Sequence, residues 1–183
     1  MSLTDFLHRL AAAMDRAAVP YMLAGSVASS IHGQPRSTQD VDLVIHTDPA
    51  GIRRLVNELP DEDYYVDVDV ALQALRRSSQ FNVIDMETGW KADLIIRKAR
   101  PFSQAEFDRR RRIQMDGEPI WIASPEDVVI TKLEWAKRTE SERQLRDVAG
   151  VLAERNDIDT AYIERWVAEL ELQHQWNAVQ GES

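Results

Sequence analysis

The 183-residue chain is long enough for one compact domain with a substantial core, and its 22 Lys and Arg stand against 31 Asp and Glu, a formal charge of −9 at pH 7. That balance excludes a global electrostatic footprint for nucleic acid, so any contact with a polyanion has to be local. With no cysteine, disulfides and thiolate metal sites are excluded and a reducing compartment is the natural expectation.

Phe6, Leu7, Leu10, Ala11 and Met14 recur at helical spacing with Ser2 or Thr4 as the cap, which predicts an amphipathic helix over about 3–17. Asp5, Arg9, Asp15 and Arg16 interrupt its apolar residues, so the segment does not read as a signal peptide or membrane span. A soluble, cytoplasmic protein without a membrane partner is expected. VPYMLAG then reads as a short buried strand ending at Gly25, and SVASSIHG as a helix of small residues closed by Gly33. DVDLVI, residues 40–45, alternates polar and apolar before an apolar finish, the pattern of a half-buried strand. Asp48 followed by Pro49 starts a helix that ends before Pro60, with Ile52, Leu55, Val56 and Leu59 on one face.

FNVIDMETGWKADLIIR holds two strand-like runs joined at Thr88 and Gly89, a hairpin over about 81–97. A more polar helix is predicted over about 103–113, carrying Arg109 to Arg112, and PIWIA follows as a short strand. Ser124, Pro125 and Asp127 then supply an N-cap, an N1 proline and an acidic residue three past the cap, a well-marked helix start. The remainder, about 141–178, is helical in its periodicity. The fold class is α+β: a short mixed sheet flanked by helices over residues 1–122, with a helical subdomain over 123–183 packed into a single compact unit.

The tripeptide DVD occurs twice, at 40–42 and at 67–69. On a strand, Asp40 and Asp42 project from one side with Cβ atoms roughly 6–7 Å apart, and two carboxylates so spaced can share hard divalent cations. Val41, Leu43 and Ile45 then face the core. The second copy leads into VALQALRR, so Asp67 or Asp69 is expected to cap a helix. Upstream of the first copy, Gly25 and Ser26 stand between a strand and a helix, where backbone N–H groups and a hydroxyl can receive phosphate oxygens. Downstream, Asp93 lies on a further predicted strand. Three carboxylates from two strands with a phosphate-receiving turn make a two-metal phosphoryl-transfer site.

Gly25-Ser26, thirteen intervening residues, Asp40-Val41-Asp42 and a distal Asp93 resemble the motif set of the DNA polymerase β-type nucleotidyltransferase superfamily. RSTQDVDLVI, residues 36–45, is similar to the Arg-x-Thr-x-Asp-x-Asp segment of its AbiEii-type toxin and minimal nucleotidyltransferase branches. SPEDVVITKLEWAKR with RQLRDVAGVL resembles their helical region, which puts Lys132 at the lysine position and Asp147 near a recurrent aspartate; the likeness spans residues 20–155. The resemblance implies a nucleotidyltransferase-like fold and transfer of an NMP from an NTP to an acceptor hydroxyl. It implies Asp40, Asp42 and Asp93 as catalytic ligands of two Mg²⁺ ions, and Gly25, Ser26, Arg36, Thr38 and Lys132 as substrate contacts. In the toxin-like branch the acceptor is a tRNA end or a protein, and an antitoxin partner is expected. The rivals are an aminoglycoside-type small-molecule acceptor, and a catalytically silent relative that binds nucleotide or a partner.

Plainer readings stand beside these. Thr38 can make a turn before its strand and Arg36 can be a loop residue. Lys132 can be an exposed surface lysine, and Arg143 and Asp147 can form an i,i+4 pair. His32 reads as structural, and the five tryptophans as packing residues. The run from Arg97 to Gln114 holds seven Arg or Lys; it reads as a solvated helix face, with an acceptor dock as the competing view.

Overall fold

The computed structural model describes residues 2–35, 38 and 40–181. In chain order its elements are α1 (Leu3–Arg16), β1 (Tyr21–Ala24), α2 (Gly25–His32), β2 (Asp40–Ile45), α3 (Pro49–Asn57), β3 (Tyr64–Tyr65), α4 (Val68–Arg77), β4 (Gln80–Asp85) and β5 (Lys91–Ile96). They continue as α5 (Pro101–Asp108), β6 (Arg111–Met115), β7 (Glu118–Ile122), α6 (Pro125–Thr139), α7 (Glu142–Glu154), α8 (Thr160–Glu169) and α9 (Gln173–Gln180). The fold is the expected α+β arrangement, a mixed sheet flanked by helices.

All seven strands form one sheet in the order β3-β4-β5-β2-β1-β7-β6. β2 lies at its centre, parallel to β5 and antiparallel to β1. Side-chain alternation divides each central strand between two faces. Val41, Leu43 and Ile45 of β2 are buried with Ala92, Leu94 and Ile96 of β5 and with Phe81 and Val83 of β4. The apolar stripes of α1 and α4 pack with β7 and β4, and α3 packs with both helices. Ser2 starts α1 through a capping box, accepting from the Asp5 N–H while the Asp5 carboxylate accepts from its own N–H. On the core side, Asp85 is buried and paired with Arg9 of α1.

The helix expected over about 103–113 is shorter. α5 ends at Asp108, and Arg111 and Arg112 belong to β6, which pairs with β7 in antiparallel register. Asp116 and Gly117 join these strands with φ of 49° and 88°, the two left-handed residues of a tight two-residue hairpin. Asp-Gly between two short strand segments is the local signal for that turn. The arginines are not a helix face: Arg110 lies over the Phe107 and Trp121 rings, and Arg112 over Trp121.

The chain divides into two compact units, Met1–Ala24 with Thr38–Ile122, and Gly25–Ser37 with Ala123–Ser183. α2 therefore groups with the C-terminal helices rather than with the strands that flank it in sequence. Within this second unit, His32 of α2 is buried and its Nε2 lies 2.7 Å from the Ala123 carbonyl oxygen, in keeping with a structural histidine. A Cβ on Gly33 would stand 2.7 Å from the Val151 nitrogen and 2.8 Å from the Gly150 carbonyl carbon, so α2 and α7 meet where no side chain fits. Ser124 caps α6 and hydrogen-bonds the Asp127 carboxylate at 2.6 Å, and the Tyr162 hydroxyl donates to the same carboxylate at 2.7 Å. Trp166 and Trp176 are buried as expected, whereas Trp135 is 46% exposed on α6 with Arg138 over its ring. Among the described residues, no helix is long and apolar enough to cross a membrane.

Candidate active site

The face of the sheet opposite the core carries the charged residues of β2 and β5. Asp40 and Asp42 alternate with buried Val41 and Leu43, and their register partners across the parallel ladder are Lys91 and Asp93. Because adjacent strands run about 4.8 Å apart, these pairs form a four-residue array, Asp40 beside Lys91 and Asp42 beside Asp93. Asn82 of β4 pairs with Asp93 from the other side, and Ala24 of β1 pairs with Asp42. One row therefore reads Ala24, Asp42, Asp93, Asn82 across four strands. This register places the three aspartates on one face of the sheet.

Lys91 is the residue the sequence reading passed over. Its ammonium lies 3.5 Å from Asp40 Oδ1 and 3.4 Å from Asp93 Oδ1, bridging carboxylates on two strands. Partial burial alone would lower the lysine pKa; Asp93 and Asp40 together outweigh it and raise it. Asp93 Oδ1 is buried and, among the described residues, has no hydrogen-bond partner besides this ionic contact. The available signal was spacing, since a residue two before Asp93 on a strand shares its face. Among the described residues, no group of three or more His, Cys, Asp or Glu side chains stands gathered so as to hold a metal ion. Asp40 and Asp93 instead flank the Lys91 ammonium.

The other candidates lie as follows. Thr38 donates to the Asp40 carbonyl oxygen at 3.2 Å, a local contact two residues along the chain. Arg36 lies outside the described residues. Gly25 follows the Ala24 terminus of β1 and opens α2 with φ of 60°, a left-handed conformation that glycine adopts without strain. Ser26 is in the first turn of α2, and its carbonyl accepts from the hydroxyls of Ser29 and Ser30. Lys132 is in the second unit and is not an exposed lysine: it is 4% exposed, and its ammonium donates to Asp147 Oδ2 at 2.7 Å, tying α6 to α7. In the second DVD copy, Asp67 caps α4, accepting from the N–H groups of Asp69 and Val70. It takes no part in the carboxylate array.

No family model and no curated protein matches this sequence. Solved structures do. An antigenic nucleotidyltransferase-like protein from Paracoccidioides brasiliensis is similar at 20% identity and a TM-score of 0.60, covering 96% of this chain and 90% of that one. The antibiotic-resistance factor ANT(2'')-Ia is similar at 13% identity and a TM-score of 0.62, covering 99% and 97%. The lincosamide antibiotic adenylyltransferase LnuA, in its lincomycin-bound crystal structure, is similar at 14% identity and a TM-score of 0.57, covering 85% and 99%. At these identities the likeness is one of fold.

Proposed function

We propose that this chain, whose fold is nucleotidyltransferase-like, transfers a nucleoside monophosphate from an NTP to an acceptor hydroxyl in a reaction that depends on divalent cations. The observation that carries the proposal is the register of β2 with β5, which lines Asp42 with Asp93 and sets Asp40 one step along the same face. The donor set suits Mg²⁺, a hard cation that takes carboxylate oxygens, and the buried Asp93 Oδ1 without a hydrogen bond is the kind of oxygen such an ion satisfies. Two Mg²⁺ ions held by Asp40, Asp42 and Asp93 would offset the triphosphate charge and that of the departing pyrophosphate.

The chain's own groups divide the remaining work. Asp93 accepts the proton of the acceptor hydroxyl, whose oxygen then bonds to the α-phosphorus as the bond to pyrophosphate breaks. Gly25 allows close backbone approach to phosphate and Ser26 donates to it, with Arg36, Thr38 and Lys132 as further substrate contacts. Asp147 holds the Lys132 ammonium in place.

For the acceptor, a small hydroxyl-bearing cation of the aminoglycoside kind is the first reading. It is supported by the acidic balance of the chain, which repels polyanions, and by the fold shared with antibiotic adenylyltransferases. The second is a tRNA end or a protein in a toxin-antitoxin setting, favoured by the segment RSTQDVDLVI. Incubation of the protein with Mg²⁺ and each labelled NTP, against panels of aminoglycosides and lincosamides, tRNA and protein, decides between them. Label transfer to one panel that is lost in Asp42→Asn is the expected result. No transfer to any panel, with no Mg²⁺-dependent NTP binding, overturns the enzyme reading.

A further inference from the structure

We propose that Lys91 is a displaceable counter-cation of the carboxylate array: its ammonium holds Asp40 and Asp93 in the metal-free protein, and an incoming divalent ion takes its place. The inference rests on the metal-dependent reading above and adds to it a residue that sets how tightly the ion is held.

Three aspartates on one open sheet face repel one another, and like charges on adjacent strands are destabilising. β5 answers this with a lysine in the same array, two residues before Asp93 and directly across from Asp40. The lysine does not extend into solvent. It is about one-third exposed, between an Asp93 side chain that is 15% exposed and an Asp40 side chain that is 55% exposed. Its contacts of 3.5 and 3.4 Å exceed the roughly 2.7–2.9 Å of a charge-assisted hydrogen bond. Charge, rather than fitted hydrogen-bond geometry, therefore holds it there. A hard divalent ion offers the same oxygens twice the charge at a shorter distance, and the flexible four-carbon stem lets the ammonium leave without moving the backbone. The same contacts occupy the two carboxylates, Asp40 and Asp93, that the ion would claim.

Lysine at this position trades cation affinity for stability of the metal-free fold. Removing it is expected to do two opposite things. Without metal, Lys91→Met and Lys91→Gln melt about 2–4 °C below the native protein, as Asp40 and Asp93 lose the cation they share. With metal, both bind Mn²⁺ roughly tenfold more tightly, because an ammonium repels a divalent ion a few ångströms away even in high dielectric. Lys91→Arg keeps the charge and stays near the native affinity.

The test is calorimetric titration with MnCl₂, with thermal melts in EDTA and in Mn²⁺, on the native protein, the three Lys91 variants and Asp42→Asn, each checked for folding by circular dichroism. Native binding that Asp42→Asn loses and that Lys91→Met or Lys91→Gln tightens is the expected pattern. If native protein binds and Asp42→Asn does not, but the neutral variants bind no more tightly, the displaceable lysine is overturned and the metal reading survives. If no variant and no native protein binds Mn²⁺, or Asp42→Asn binds as well as native, both fall.

Discussion

Asp42 and Asp67 begin from the same local sequence, and substitution separates what each does. Asp42→Asn keeps the side-chain shape and removes a charge from the array; nucleotidyl transfer and Mg²⁺-dependent NTP binding are expected to fall at least about a hundredfold with the fold intact. Asp67→Ala removes the cap of α4, which costs about 1 kcal/mol by urea unfolding and leaves transfer unchanged. Asp85 offers a test in pH. Burial works against its charge, yet the Thr88 N–H, the Thr88 hydroxyl and Arg9 outweigh it and hold the carboxyl below the ordinary range. A depressed folded-state value means the stabilisation is full above the unfolded pKa of about 4 and is lost as pH falls through the lower folded value. Urea midpoints measured from pH 7 to pH 2.5 should drop over that acid range, and Asp85→Asn should flatten that part of the profile while lowering the midpoint at pH 7. Most of the array was readable at this scale, because strand alternation alone puts Asp40 with Asp42. Lys91 was missed because a lone lysine on a strand reads as a solvated residue until its cross-strand partner is known.

At the scale of elements, close contacts decide what substitution costs. Gly33→Ala places a methyl 2.7 Å from backbone at Val151, where nothing can rotate away. A loss of about 2 kcal/mol is expected, read from a lower unfolding midpoint with the circular dichroism spectrum preserved. Gly117 marks the opposite case, since a Cβ there meets nothing and only its φ of 88° requires glycine. Helix starts marked by local chemistry were legible: Asp48 with Pro49, and Ser124 with Pro125 and Asp127, appear where expected, and of the two caps offered for α1, Ser2 and Thr4, the structure uses Ser2. β6 was not. Four successive arginines have good helix propensity, and pairing with β7 overrides it from Arg111 onward, with the Asp116-Gly117 turn setting the register.

For the whole molecule, a formal charge of −9 implies self-repulsion that salt relieves. The melting temperature should rise between 20 and 200 mM KCl. MgCl₂ at matched ionic strength should raise it further in native protein but not in Asp42→Asn, which separates specific binding from screening. The seven basic residues between Arg97 and Arg112 do not overturn this balance, and part of that run is engaged with Phe107 and Trp121.

Composition, local spacing and capping chemistry by themselves determined the α+β class, most helix and strand positions, and the capping role of the second DVD at α4. Helix and strand positions and caps rest on interactions within a few residues of one another along the chain. Only the tertiary structure decided the pairing of Asp42 with Asp93, the bridging of Asp40 and Asp93 by Lys91, the burial of Lys132 with Asp147, and the grouping of α2 with the C-terminal helices. These depend on which distant segments become neighbours, and a side chain's partner across a ladder or between helices is set by packing that no local pattern encodes.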